Sequence, residues 1–285
     1  MTLATLASSG SAVETGTRDL YLDLLKKTLT RTIATENFSA AEPWFTLMRF
    51  WFLPVQAFLM ARGWTVVRRV AADSNLRREG RDWPADAETM VGLKRLDNLQ
   101  FCVESILRDG VPGDLIETGV WRGGASIFMR GVLKAHGDTT RVVWVADSFQ
   151  GLPQPRRGVW RDDERGGLWK FGTLAVSLEQ VRANFERYGL LDEQVRFLKG
   201  WFHDTLPTAS MEQLAVLRLD GDMYESTTDA LNALYPKLST GGYCIVDDYY
   251  SHSGAREAVT EYRARHRIVD KIEQIDWTGA FWRKL

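Results

Sequence analysis

The second half of the chain carries short, largely apolar segments at 114–119, 142–146, 195–198, 215–219 and 242–246, of which 142–146 is apolar without a break. Segments of that length without polar alternation are what strands covered on both faces look like. Between and after them, segments 125–135, 178–188, 227–238 and 256–266 read as helices. Two further segments, 268–275 and 280–285, read as closing strands. Strand and helix in alternation predict an α/β fold, a doubly wound sheet of five parallel strands with two more strands closing it. One long loop, 150–172, interrupts the series and carries aromatic residues and the charged run 161–165.

The first half is patterned differently. Residues 1–16 are small and polar and predict a disordered tail. Leu20, Leu24, Leu25, Leu29 and Ile33 recur at helical spacing, and segment 90–107 repeats the pattern with Met90, Leu93, Leu96, Leu99, Val103, Ile106 and Leu107 on one side. The charged stretch 75–81 reads as a loop. Segment 44–64, WFTLMRFWFLPVQAFLMARGW, is apolar nearly all round if helical. Only 12 residues separate Arg49 from Arg62 there, too few to span a bilayer, which takes roughly 20. The reading preferred here is a helical hairpin buried in a dimer interface or over the mouth of the site. The alternative is an interfacial lipid contact, aided by Arg62, Arg68 and Arg69. The chain therefore divides into a tail (1–16), an N-terminal helical region (17–109, with an apolar insertion at 44–69) and an α/β domain (110–285).

Composition narrows the function. With 36 basic and 37 acidic side chains the formal net charge is -1, without the basic excess that a nucleic-acid surface needs. The two cysteines, Cys102 and Cys244, each sit inside an apolar run and read as buried thiols. With no signal or transit pattern at the N-terminus, they suit a reducing, cytoplasmic setting.

In open parallel sheets ligands bind beyond the carboxyl ends of the strands. The residues expected there are Glu117 and Gly119, Asp147, Gly200 and Trp201 after Lys199, Asp220, and Asp247 with Asp248. Singly, each Asp could be no more than a helix cap or turn residue; several converging on one edge point to a site. The glycines of the first turn, Gly119, Gly123 and Gly124, do not form the G-x-G-x-x-G that cradles a pyrophosphate. Asp147 lies 30 residues beyond Glu117, against roughly 20 in a dinucleotide fold, at a place where an acid can accept ribose hydroxyls. A nucleoside cofactor without phosphates fits better, and S-adenosylmethionine is the obvious candidate. Asp220, Asp247 and Asp248 would repel one another without a cation, and hard oxygen donors suit Mg²⁺ or Ca²⁺ rather than zinc. Asp222 lies beyond the strand end and stays outside that set. His252, four residues after Asp248, could act as a base but reads more readily as a rim residue. His203 and His266 have weaker claims, and His136 reads as a surface helix residue.

The runs GLKRLDNLQFCVE (92–104), GDLIETGVWRGGASIFMR (113–130), VADSFQGLP (145–153), RLDGDMYEST (218–227) and GGYCIVDDY (241–249) resemble the macrocin O-methyltransferase family over about residues 75–285. Its members methylate sugar hydroxyls of glycosylated antibiotics. The resemblance implies a class I methyltransferase, Rossmann-like, with S-adenosylmethionine, Mg²⁺ and a homodimer or higher oligomer. It assigns Glu117, Thr118, Gly119, Val120 and Ser126 of the first turn, with Asp147 and Ser148, to the cofactor. It assigns Asp220, Asp247 and Asp248 to the metal, Asp220 also being the general base. The insertion 44–69 and the loop 161–165 depart from the pattern and bear on the acceptor. The expected reaction is Mg²⁺-dependent O-methylation of a deoxysugar hydroxyl on a small glycosylated acceptor. Alternatives are a phenol or catechol acceptor, or a non-catalytic scaffold that binds through 44–64. A nicotinamide oxidoreductase would require the glycine spacing to mislead.

Overall fold

The computed structural model describes residues 16–34, 36–40, 46–64, 66–71, 73–82 and 86–285. The expected tail falls almost wholly outside them, as do Trp44 and Phe45. Seven strands pair into one sheet: β3 (Asp114–Thr118), β4 (Val143–Asp147), β5 (Val195–Lys199), β6 (Leu214–Leu219), β7 (Leu238–Val246), β8 (Glu273–Gln274) and β9 (Ala280–Arg283). Their order is β5-β4-β3-β6-β7-β9-β8. The first five are parallel, while β9 runs antiparallel to β7 and β8 antiparallel to β9. This is the doubly wound sheet with two closing strands that the apolar runs predict.

Helices cover both faces: α4 (Leu93–Arg108), α5 (Gly124–Ala135) and α7 (Leu178–Arg187) on one, α9 (Tyr224–Leu234) and α10 (Ser253–Arg265) on the other. Adjacent residues of a strand point to opposite faces, so each strand feeds both cores. Leu115 joins Leu99, Val103, Ile127 and Phe128 on one side, and Ile116 joins Leu217, Leu231, Val259 and Trp282 on the other. All of these are fully buried or nearly so, and each such side chain contributes about 1.5–3 kcal/mol. Both cysteines are free and buried. Helix α1 (Thr17–Leu29) packs Leu22, Leu25 and Leu29 into the first of these cores.

Two N-terminal expectations change. Segment 75–81 is not a loop but the helix α3 (Ser74–Glu79). Asp73 caps it, accepting from the backbone N–H of Asn75 and Leu76 at 2.8 and 3.0 Å. Charge concealed that helix, because Arg77 is buried with its guanidinium on the carbonyls of Met90 and Val91. The apolar stretch forms a single helix, α2 (Thr46–Met60), with Pro54 inside it, rather than a helical hairpin. The reversal comes instead from its flanks, where β1 (Glu36–Ala40) and β2 (Val67–Ala71) pair antiparallel. Leu53, Val55, Phe58 and Met60 of α2 are exposed, and no described residue of α2 lines the main cavity. Among the described residues no helix is long and apolar enough to cross a membrane. The long loop, for its part, contains α6 (Arg161–Gly166).

Candidate active site

Strand order reverses between β3 and β6, which opens a crevice beyond their carboxyl ends. A cavity of about 420 Å³ lies there. Backbone hydrogen bonds stitch its floor: Gly119 N–H donates to Ala146 O, Asp220 N–H to Thr118 O, Gly200 N–H to Asp147 O and Asp247 N–H to Leu219 O, each at 2.9 Å. Gly119, Asp147, Ser148, Gly200, Trp201 and Asp220 all line the cavity, so these expected residues converge from four different strand ends. Glu117, Thr118, Val120, Ser126, Asp247, Asp248 and His252 do not line it.

Glu117 is the clearest departure. It is 2 % exposed, with Oε1 2.6 Å from Arg218 Nη1 and Oε2 accepting from Ser126 Oγ. Burial pushes its carboxyl above the usual range, and Arg218 opposes that. Both oxygens thus serve the interior, and Thr118 is buried with its hydroxyl toward the Arg218 carbonyl. Val120 faces the site through its backbone N–H, which donates to Asp147 Oδ2 at 2.8 Å. Asp147 Oδ1 accepts from Phe149 N–H at 2.7 Å. Burial raises the Asp147 carboxyl, and these backbone donors partly offset the rise.

Asp220, Asp247 and Asp248 each offer an oxygen within 4.8 Å of the others. Three hard oxygen donors at that separation fit Mg²⁺. Burial, then Asp247, lifts the Asp220 carboxyl well above its ordinary range. Burial also lifts Asp247, against Arg95 and Arg218. For Asp248 burial acts upward, but the hydrogen bond and charge of His252 more than offset it and leave the group below its usual range.

Two arginines that the sequence reading missed sit under this cluster. Arg218, on β6, reaches Glu117, Asp220 at 2.7 Å and Asp247 at once, and is 2 % exposed. Burial alone would weaken its charge, but Asp247, Asp220 and Glu117 together more than offset that. Arg95, on α4, pairs with Asp247 and stands 3.0 Å from Asp276. A guanidinium inside a strand buried along its whole length, LAVLRL, was the available signal. The repulsion that seemed to demand a metal is therefore partly met by protein, although the cavity side of Asp220 is left open.

The histidines separate cleanly. His252 ends the loop before α10, its Nδ1 3.4 Å from Asp248 Oδ1. His203 lines the cavity but is largely exposed. His136 follows α5 and meets Glu104 at 3.2 Å, and His266 stacks on Tyr262 with ring centroids 4.2 Å apart. Trp121, within the expected turn, takes a left-handed backbone (φ 47°) and donates from Nε1 to Thr173 O at 2.9 Å, tying the glycine turn to the long loop.

A doubly wound sheet with a glycine turn at its switch point and acidic strand ends around the cavity defines a class I methyltransferase. The chain belongs to the macrocin O-methyltransferase (TylF) family, which it matches over residues 18–284, and it is an O-methyltransferase. It is 57% identical over 267 residues to an 8-demethyl-8-(2,3-dimethoxy-alpha-L-rhamnosyl)-tetracenomycin-C 4'-O-methyltransferase of Streptomyces olivaceus, covering 93% of each chain. It is 49% identical over 269 residues to a mycinamicin III 3''-O-methyltransferase of Micromonospora griseorubida, covering 93% of this chain and 96% of the relative. Among solved structures, the O-methyltransferase NovP matches with a TM-score of 0.81 and 48% identity, over 94% of this chain and 99% of that one.

Proposed function

We propose that this protein is an Mg²⁺-dependent O-methyltransferase that uses S-adenosylmethionine to methylate a sugar hydroxyl of a glycosylated natural product. One observation carries the mechanism. Asp220 alone of the carboxylate triad lines the cavity, its side chain 25% exposed against 7% for Asp247 and 11% for Asp248. When bound, the cofactor supplies the electrophilic methyl group, and Mg²⁺ on Asp220, Asp247 and Asp248 lowers the pKa of the acceptor hydroxyl.

The remaining work falls to this chain. Asp220 takes the hydroxyl proton on the carboxylate oxygen facing the cavity. Arg218 holds Asp220 and Asp247 in place from below. Asp147, Ser148, Gly119, Gly200 and Trp201 would hold the donor on the β3–β4–β5 side of the cavity that Asp220 also lines. The names of the relatives, both sugar-directed, support the acceptor class. The exposed apolar side chains of α2 support assembly as a homodimer or higher oligomer, which sedimentation would report.

The test is mass spectrometry of glycosylated intermediates incubated with enzyme, S-adenosylmethionine and Mg²⁺, beside simple catechols. One added methyl on a glycosylated compound supports the reading. Methylation of the catechols alone would turn it toward the phenolic alternative.

A further inference from the structure

Sequence spacing leaves Asp222 outside the carboxylate triad, but the structure places it at a second group of ligand atoms. Asp222 takes a left-handed backbone (φ 57°), rare for a residue with a side chain, and lines the cavity. Its carboxylate lies beside Asp248 and His252, and one ligand atom from each of the three falls within 4.8 Å of the others. His252 Nδ1 is 3.4 Å from Asp248 Oδ1 and 4.0 Å from Asp222 Oδ1. Ligands about 2.1 Å from a shared ion stand roughly 3.0–4.2 Å apart in tetrahedral or octahedral arrangements, so these separations suit a cation between them.

An independent observation points the same way. Asp248 is 8% exposed, and its Oδ2 is buried without any hydrogen-bond donor. Buried carboxylate oxygens are ordinarily satisfied; Asp248 Oδ1 accepts from Ser251 Oγ at 3.3 Å, which leaves Oδ2 as the oxygen available to a cation. Ser251 Oγ stands 3.0 Å from His252 Nδ1 and 3.3 Å from Asp248 Oδ1, a further oxygen at the edge of the group.

The geometry points to a second cation position, held by Asp222, Asp248 and His252 and separate from the Asp220–Asp247–Asp248 triad. An imidazole beside two carboxylates suits a divalent transition ion such as Zn²⁺ or Fe²⁺ better than Mg²⁺, and Mn²⁺, which carboxylates bind readily, serves as the paramagnetic probe of the position. Asp248 belongs to both groups, so two ions would share it, in the manner of paired sites whose ions lie about 3.5–4 Å apart. Asp222 borders the cavity, which leaves the ion a coordination position open to a substrate oxygen. The inference does not require the triad to hold Mg²⁺.

The test is to count bound Mn²⁺ by electron paramagnetic resonance on the full chain, in wild type and in His252→Ala, Asp222→Asn and Asp220→Asn, each checked for fold by circular dichroism. Asp222→Asn keeps the side-chain shape and guards against a misfolded His252 variant. The expected result is two ions per chain in wild type, one in His252→Ala and Asp222→Asn, and an ion retained at the histidine position in Asp220→Asn. Mn²⁺ lost only in His252→Ala and Asp222→Asn would support this position while removing the triad. Binding unaffected by either of those two variants would overturn the position and leave the triad standing. A single ion lost in all three variants would also overturn it, as one shared site.

Discussion

A Cβ placed on Gly119 would stand 1.8 Å from the carbonyl oxygen of Asp220. The glycine of the cofactor turn is there because the ends of β3 and β6 touch at that point, which joins the two halves of the site. With φ at 85°, a side chain is disfavoured twice over. Gly119→Ala should cost roughly 2–4 kcal/mol, combining backbone strain with forced separation of the strands. Thermal unfolding beside a turnover assay would check this, and a variant as stable and active as wild type would refute the contact's importance.

Arg218→Met keeps the bulk of the side chain but leaves Glu117, Asp220 and Asp247 without their shared cation. Breaking a buried pair by removing one partner costs about 3–5 kcal/mol. Burial raises the Glu117 carboxyl, and Arg218 is the main influence holding it down, so it climbs further in the variant. A carboxyl raised in the folded state favours folding while protonated, and that contribution is lost as pH rises through the folded value. The penalty measured by urea unfolding should therefore be larger at pH 8 than at pH 5. A penalty independent of pH would contradict this account of Arg218.

At the far edge of the sheet, Arg130 donates to Asp192 from Nε at 2.9 Å and from Nη2 at 2.7 Å. Those hydrogen bonds hold the Asp192 carboxyl below its ordinary range. Its contribution is present above the unfolded value of about 3.9 and fades as pH falls through the lower folded value. Asp192→Asn should cost about 1–2 kcal/mol at pH 7, with the difference from wild type narrowing below about pH 4. Urea midpoints at both pH values would show it, and an unchanged gap would count against the pairing.

What the sequence made legible follows from the kind of force involved. Five strands stand out because a strand covered on both faces is mostly apolar, as in LAVLRL, where Arg218 is the one charged residue. The acidic strand ends stood out because chain order alone places them on one edge. Less visible were contacts between residues far apart in sequence. Arg95 meets Asp247 across 152 positions and Arg218 meets Glu117 across 101, and no local pattern announces either. Glu117 resembles a ligand contact in sequence because its partners, Arg218 and Ser126, follow no local pattern. Asp222 lies beyond the strand end in sequence, yet in space its carboxylate stands beside Asp248 and His252. Helix α2 keeps the apolar character of its stretch, but the stretch is one helix and the chain reversal lies in the β1–β2 pair that flanks it.

The proton-accepting role of Asp220 is the centre of this account, and turnover by Asp220→Asn tests it most directly. Methyl transfer to a glycosylated acceptor would be followed by mass spectrometry, with Mg²⁺ present and with excess EDTA, after circular dichroism confirms that the variant is folded. Loss of a positioned general base should lower the rate about 10²–10⁴-fold. In wild type, EDTA should abolish transfer and added Mg²⁺ should restore it. Turnover by Asp220→Asn at the wild-type rate, or full wild-type activity in excess EDTA, would contradict the mechanism.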